Sequence, residues 1–431
     1  MCKNWSYDTK ITYNLHIITI IMIHRTALAS IEQSIAQRPV TLITGARQVG
    51  KTTLCRELSR KYGFGYVTLA DRTERSMAVN DPEMFLKSHG VPLIIDEVQY
   101  APGLFDSIES AVDKAKFETG RNEGMYVLTG SQAYNQMAGV TQSMAGRISV
   151  IRMSPLSISE ILSRPEIPFT VDFERNISRC REQTMDPERV YQMVVRGSYP
   201  ELYEKEKLKT HEFYSDYLDS YITRDVSQII NLKDQRKFLE FMELMASLTG
   251  QELVYNNVAN TLGVNIKTIQ SWISVLTAGD IVHLVRAYSE RSAAKRIVKH
   301  PKIYFSDTGL ACHLAKVRDA DTLRAGYLKG PMIETLIVNE IFKSYRNNRE
   351  DAGFYYYRDS QMNEIDLVIL REGALSLIEC KAGITYGPSD VKAFRRLENS
   401  DYKIGPSCII CMTEKPYPVK DGVYAFPITV V

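Results

Sequence analysis

The chain has 431 residues, 44% hydrophobic and 24% charged, with a formal net charge of +2. This length exceeds one ordinary core, so about two or three domains are expected, and the composition is that of a globular protein and weighs against disorder. Near-balanced charge excludes a globally basic nucleic-acid binder and leaves only local patches for such contacts.

Residues 1–24 form an N-terminal extension of a different character. Leu15 to Ile23 is apolar but for His16 and Thr19, Lys3 and Lys10 precede it, and Ala27-Leu28-Ala29 mimics a cleavage site. The run falls short of the ~20 residues that span a bilayer. Residues 1–21 are therefore expected to be an upstream extension or a misplaced start, without a membrane span. Seven cysteines, at positions 2, 55, 180, 312, 380, 408 and 411, form no paired framework, which fits a reducing compartment. Cys408-Ile-Ile-Cys411 has the spacing of a metal or redox pair, but its apolar surroundings and the lack of a second pair favour a buried strand.

An amphipathic helix is expected over 24–37, then an apolar run, Val40-Thr41-Leu42-Ile43. Directly after it, Gly45-Ala46-Arg47-Gln48-Val49-Gly50-Lys51-Thr52-Thr53 fits G-x-x-x-x-G-K-[ST], and a helical stretch to Arg60 follows. Gly45 and Gly50 let the backbone turn so that successive N–H groups face one concavity, a seat for phosphate oxygens reinforced by the helix N-terminus. Lys51 would reach the β- and γ-phosphates of ATP, and Thr52 would offer its hydroxyl to Mg²⁺. A chance glycine loop competes with this, but the strand before and the helix after weigh against it.

Gly65 to Leu69 is a second short strand with Asp71 at its end, and Pro82 to His89 a helix. Pro92-Leu93-Ile94-Ile95-Asp96-Glu97 is an apolar run ending in two acids, the pattern of a buried parallel strand whose C-terminal edge carries ligand-handling groups. Asp96 would hold Mg²⁺ through water, and Glu97 would orient or deprotonate an attacking water. An acidic turn capping the next helix would explain either acid alone, but not the strand, the spacing and the pair together. A helix from Leu104 to Ala115 and a strand from Met125 to Ser131 follow. Thr129 and Ser131 stand where additional-strand P-loop ATPases place a γ-phosphate sensor; a simple turn explains Thr-Gly-Ser equally well. Arg147, before the strand Ile148 to Met153, is a candidate catalytic arginine in cis or in trans, a role worth ~10³ to 10⁵ in rate. A surface salt bridge competes with it. The alternation implies an α/β domain over 25–160, a parallel sheet with helices on both faces. Use of ATP places such a chain in the cytoplasm.

Taken together, Gly-Ala-Arg-Gln-Val-Gly-Lys-Thr-Thr-Leu, Leu-Ile-Ile-Asp-Glu-Val-Gln, Leu-Thr-Gly-Ser, Ala-Gly-Arg and Met-Ser-Pro-Leu-Ser-Ile-Ser-Glu resemble the prokaryotic AAA-type ATPases whose C-terminal half is a domain of unknown function. Arg196-Gly-Ser-Tyr-Pro200, Tyr221-Ile-Thr-Arg-Asp225 and Phe305-Ser-Asp-Thr-Gly-Leu310 extend the likeness, which runs from about residue 25 to the end. It implies ATP binding and hydrolysis and supplies no biological substrate.

Residues 161–232 are expected to be a helical connector or lid, with packing as the default role of the Tyr-rich stretch from Tyr214 to Ile222. Over 233–300 a winged-helix module is expected: Asn256 to Leu262, a turn at Gly263, Asn265 to Leu276, and a wing at Ile281 to Tyr288. Its second helix carries only Lys267 as a cation, but Arg286, Arg291, Lys295, Arg296, Lys299 and Lys302 follow, enough for a phosphate-contacting DNA patch. A protein-docking role or a solvated face competes.

A second site pattern lies in 301–431. Glu334 sits on an expected helix (Pro331 to Tyr345), Asp366 on a strand, and Glu379 and Lys381 on the next strand, facing one side because strand side chains alternate. This is the arrangement of the PD-(D/E)xK, restriction-endonuclease-like α/β fold. Glu334, Asp366 and Glu379 would bind a second divalent metal while Lys381 positions water. The signature is loose, and an exposed acid and lysine on a strand face explain it too.

The leading expectation is a Mg²⁺-dependent ATPase acting as a nucleotide switch on the C-terminal half, with ATP, DNA and a protein as partners. Two alternatives stay open: an ATP-regulated metal-dependent nuclease, and a non-hydrolysing module that nucleotide stabilises.

Overall fold

The computed structural model describes residues 23–130, 144–182, 185–226, 235–289 and 300–431. Helix α1 (Ala27–Gln37) leads into β1 (Val40–Gly45), all of whose residues are buried. Helix α2 (Lys51–Tyr62) starts directly after the glycine loop and stops at Gly63, whose φ of 71° suits a residue without a Cβ. Then come β2 (Gly65–Thr68), α3 (Arg72–Asn80), α4 (Pro82–His89), β3 (Leu93–Asp96), α5 (Leu104–Thr119), β4 (Tyr126–Thr129) and β5 (Ile148–Met153). Asp71 and Asp81 start α3 and α4 by accepting backbone N–H groups of the first turn.

These strands form a five-stranded sheet in the order β2-β3-β4-β1-β5. Every pairing is parallel. Alternation divides the strand side chains between two cores. Leu42, Ile95 and Leu128 pack with Phe85 and Phe105 of α4 and α5 on one face. Ile43, Ile94 and Val127 pack with Ile31 and Leu54 of α1 and α2 on the other. Parallel pairing puts Gly45, Asp96 and Thr129, the last residues of three adjacent strands, at one edge.

Beyond β5 the chain is mostly helical: α6 (Ile158–Ile161), α7 (Phe173–Glu182), α8 (Pro187–Arg196), α9 (Pro200–Glu204) and α10 (Thr210–Ser220), prolonged by a π turn over Tyr221–Val226. The Tyr-rich stretch is a packing face, since Tyr214, Tyr217 and Tyr221 are fully buried with Tyr199. The side chains of residues 224 and 225, within the Tyr221-Ile-Thr-Arg-Asp225 signature, lie outside the description.

Helix α11 (Gln235–Ser247), a short β6 (Gln251–Glu252), α12 (Tyr255–Leu262) and α13 (Ile266–Ala278) follow. Gly263 turns between the last two with φ 64°, and Asn265 caps α13. Strand β7 (Val282–Ala287) pairs antiparallel with β8 (Lys302–Phe305). After α14 (Thr308–Leu314), α15 (Ala320–Ala325) and the largely buried α16 (Lys329–Asn347) come β9 (Gly353–Arg358), β10 (Glu364–Arg371), β11 (Ala374–Cys380), β12 (Lys403–Ile404), β13 (Ser407–Cys411), β14 (Tyr417–Lys420) and β15 (Val423–Pro427). Cys408 and Cys411 are both buried in β13.

The expected border between residues 300 and 301 needs correction. It cuts the β7/β8 hairpin, and β7 pairs on its other side with β9 through Arg286↔Tyr355 and Ala287↔Tyr356. One ten-stranded sheet therefore runs from β6 to β14, with no gap where the helical module was expected to end.

Two of the sequence signatures meet here. Asp307 accepts from Ser198 N at 2.7 Å and Ser198 Oγ at 2.8 Å through one oxygen, and from Tyr214 Oη at 2.6 Å and Leu310 N at 2.7 Å through the other. Gly197 (φ 78°) lies so close that a Cβ would overlap the Tyr214 hydroxyl and the Asp307 carboxylate. Arg196-Gly-Ser-Tyr-Pro200 and Phe305-Ser-Asp-Thr-Gly-Leu310 are thus two halves of one buried joint.

Candidate functional site

At the C-terminal edge of the parallel sheet the loop after β1 has the backbone that phosphate binding needs. Gly45 takes φ 141°, Gln48 59° and Gly50 95°, and a Cβ on Gly45 would overlap the carbonyl oxygen of Met153. Lys51 opens α2 and is only 6% exposed; its Nζ donates to the carbonyls of Gly45 (3.0 Å) and Ala46 (2.7 Å). Thr52 Oγ1 donates to Asp96 Oδ2 at 3.0 Å, Tyr66 Oη to the same oxygen at 2.8 Å, and Thr129 Oγ1 to Asp96 Oδ1. Burial, then the bond to Asp96, pushes the Tyr66 hydroxyl pKa up, so it stays a donor. Thr129 Oγ1 also accepts the backbone N–H of Glu97 at 3.0 Å. Glu97 adopts φ 62°, a left-handed conformation that costs a non-glycine residue ~1–3 kcal/mol, and it faces the cleft with Gln99 as a donor to its carboxylate.

That cleft has a volume of about 400 Å³. One wall is Arg47, Gln48, Gly50, Lys51, Thr52 and Thr53; the other is Leu156 with Pro200, Glu201, Glu204 and Lys205 of α9 and its end. The second wall starts two residues beyond Ser198, inside the Asp307 joint.

The C-terminal acids also come together. Glu334 projects from α16, Asp366 from β10 and Glu379 from β11, with Lys381 just past it. Lys381 Nζ lies 2.8 Å from Glu379 and 3.9 Å from Asp366. A further residue, Lys302 of β8, stands among them: its Nζ is 2.8 Å from Glu334, 2.5 Å from Glu364 and 3.6 Å from Asp366. Burial raises the Glu334 pKa to about 7, and burial with the neighbouring Asp366 charge raises Glu379 well above the carboxylate range. Burial acts the same way on Asp366, but Lys302 and Lys381 outweigh it and hold that group below its ordinary value.

Residues 37–162 match the family model of an AAA domain. They are an AAA-type P-loop ATPase domain. Residues 187–321 and 329–431 match two domains of unknown function, DUF8612 and DUF4143. Uncharacterized proteins of Mycobacterium tuberculosis and Mycobacterium bovis are each 24% identical over 404 residues, 94% of this chain and 83% of theirs. Among solved structures, a Walker-type ATPase of Pyrococcus abyssi is 12% identical, covering 68% of this chain and 96% of its own, with a TM-score of 0.42. A RuvB mutant of Thermotoga maritima is 13% identical over 61% of this chain and 89% of its own, with a TM-score of 0.30.

Within the ATPase domain, Gly45 to Thr53, Asp96, Glu97 and Thr129 share one edge of the sheet, and Ser131 lies outside the described residues. Arg147 does not join them and is corrected for action in cis. It precedes β5 at the opposite edge, where its carbonyl accepts Val40 N at the start of β1, six strand residues or about 20 Å from the loop. Its guanidinium binds Asp113 (2.7 Å) and Glu109 (3.1 Å) of α5. Lys302, expected in a DNA-facing stretch, is instead 2% exposed. Arg286 and Lys267 are exposed, and residues 291, 295, 296 and 299 lie outside the description. The expected second metal site is likewise altered: Glu334 and Asp366 converge on the Lys302 ammonium, and Glu379 pairs with Lys381. Among the described residues no group of three or more His, Cys, Asp or Glu side chains is arranged to hold a metal ion. No helix among them is long and apolar enough to cross a membrane.

Two residues were missed. Tyr66 stands on the strand next to Asp96, a position that strand adjacency alone could have suggested. Arg25, buried ahead of α1, donates to Val49 O (2.5 Å) in the glycine loop, to Ser154 O (2.6 Å) and to Glu160 Oε1 (3.1 Å), and nothing local in the sequence signals it.

Proposed function

We propose that the chain is a Mg²⁺-dependent ATP hydrolase that works as a nucleotide switch on its C-terminal half. The observation that carries this is the shared cleft: the phosphate loop forms one wall and α9, hung from the Asp307 joint, the other. In this reading ATP phosphates enter the amide concavity and Lys51 exchanges the carbonyls of Gly45 and Ala46 for phosphate oxygens. The Thr52 hydroxyl and the Asp96 carboxylate, 3.0 Å apart, offer the oxygen donors that suit Mg²⁺, which when bound neutralises charge on the β- and γ-phosphates. Glu97 orients water, held in place through its own N–H on Thr129.

A continuous set of buried bonds supports transmission. Arg25 ties the loop carbonyl of Val49 to Glu160, which forms the capping box of α6 with Ser157. Ile158 N donates to Glu340 Oε2 of α16 at 2.6 Å, and Lys343 Nζ donates to Leu156 O, Ser198 Oγ and Glu340 Oε1. Elements on both walls of the cleft are therefore bonded to α16, which also carries Glu334. In this reading the ATPase domain spans 25–160 and a connector 161–232. Residues 233–431 make one body, combining the helix pair and hairpin of a winged helix with a nuclease-like sheet.

Phosphate release tests the hydrolase: Glu97→Gln should keep nucleotide binding and lose about 10² to 10⁴ in turnover, the usual worth of a positioned base. No phosphate release by wild type above the level of Glu97→Gln and buffer would leave the non-hydrolysing module as the better reading. Amide exchange with ATP and then ADP should differ over α9 and α16; identical protection would remove the switch.

A further inference from the structure

We propose that Lys302 is a built-in cation whose ammonium takes, from within the chain, the place beside Glu334 and Asp366 that a divalent metal would need, leaving the C-terminal half metal-independent. This goes beyond the nucleotide reading and does not rest on it.

The ammonium is surrounded by carboxylates. An ammonium has three donors, and Lys302 Nζ meets Glu334 Oε1 at 2.8 Å and Glu364 Oε1 at 2.5 Å, with Asp366 Oδ1 at 3.6 Å. Its positive charge also lies 5.7 Å from the Tyr356 ring centre. Other donors share these carboxylates: Tyr304 Oη donates to Glu334 Oε1 at 2.7 Å, Cys380 N to Asp366 Oδ2 at 2.9 Å, and Lys381 Nζ to Glu379 Oε2 at 2.8 Å. A metal entering this set would face two ammonium groups at short range.

Nor can Lys302 easily withdraw. Its strand is internal: Lys302 stands opposite Val285 of β7 on one side and Glu252 of β6 on the other. Moving the ammonium out would mean opening the ladder between the helical module and the sheet. The residue is 2% exposed, and stripping its partners would leave a charge without water or counter-charge. A flexible surface lysine next to a metal site would show none of this. An ordinary buried salt bridge would share the burial, but it would not draw two acids of a nuclease-like set, Glu334 and Asp366, together with Glu364 to one nitrogen.

The test uses the full-length, nucleotide-free chain and Mn²⁺ as probe, followed by paramagnetic resonance and calorimetry. Wild type should take up no stoichiometric Mn²⁺. Lys302→Ala, which frees the carboxylates, should take up one Mn²⁺ per chain and regain thermal stability with it, and adding Glu334→Gln and Asp366→Asn should abolish the uptake. Should Lys302→Ala fail to fold, refolding in Mn²⁺ but not in its absence supports the same point, and failure in both contradicts it. Stoichiometric Mn²⁺ uptake by wild type, a folded Lys302→Ala that ignores Mn²⁺, or plasmid cleavage by wild type that Lys381→Ala removes would each overturn the proposal.

Discussion

Two buried lysines, Lys51 and Lys302, differ in what holds them. Lys51 is 6% exposed and Lys302 2%, so burial hardly separates them. Lys51 donates to two neutral backbone carbonyls at the mouth of a 400 Å³ cleft, whereas Lys302 is held by three carboxylates inside a sheet. Neutral acceptors next to solvent can be exchanged for a phosphate, whose bonds to an ammonium are charge-assisted and roughly twice as strong. Carboxylates around a desolvated ammonium cannot be exchanged without stranding charge. A lysine-and-acid pattern in a sequence thus becomes a ligand site or a structural clamp according to the partners its strand or loop supplies.

The largest expected effect is at the first lysine. Lys51→Ala should cut phosphate release by about 10³-fold or more while leaving the melting temperature of the nucleotide-free chain nearly unchanged. Lys302→Ala should show the reverse in metal-free buffer, losing about 3–5 kcal/mol of stability to chemical denaturation while the surviving folded fraction keeps its nucleotide affinity. Were the two substitutions to give the same profile, the contrast would be broken.

A smaller effect sharpens the description of the second region. His283 of β7 stacks against Tyr304 and Phe342, and its Nε2 is sealed although the residue is half-buried. Burial first, then the charges of Arg346 and Lys343, lower its pKa from 6.5 to about 3. The folded state therefore resists a proton that the unfolded chain accepts, so this contribution is present above about pH 6.5 and is lost as pH falls, at up to about 1.4 kcal/mol per unit. Denaturation of wild type and His283→Phe across pH 7 to 5 should show the variant gaining on wild type as pH falls; a constant difference would contradict this. Smallest is Arg147→Ala. Its solvent-screened pairs with Glu109 and Asp113 should add little to stability, and turnover of the isolated chain should change less than about twofold. A large loss of turnover would mean that a second copy presents it to the cleft.

The contrast also shows what the sequence could and could not carry. The parallel sheet was legible because its central strands β1, β3 and β4 are short apolar runs ended by a glycine, an acid or a threonine, and the phosphate loop because its glycines are demanded by local backbone angles. The position of Arg147 was legible too: a residue that precedes a parallel strand stands at the edge opposite the loops that follow strands. Lys302 was not, since the acids that hold it lie 32 to 64 residues further on and β9, which covers the hairpin, is brought in by long-range pairing. Arg196-Gly-Ser-Tyr-Pro200 and Phe305-Ser-Asp-Thr-Gly-Leu310 were visible as signatures without a reason, because each explains the other across 109 residues.

Titration of the purified full-length chain with a fluorescent ATP analogue, with and without Mg²⁺, tests the central claim most directly. The account predicts saturable binding that Mg²⁺ strengthens and Lys51→Ala abolishes, with Lys302→Met unaffected. No binding by wild type, or equal binding after Lys51→Ala, would contradict it.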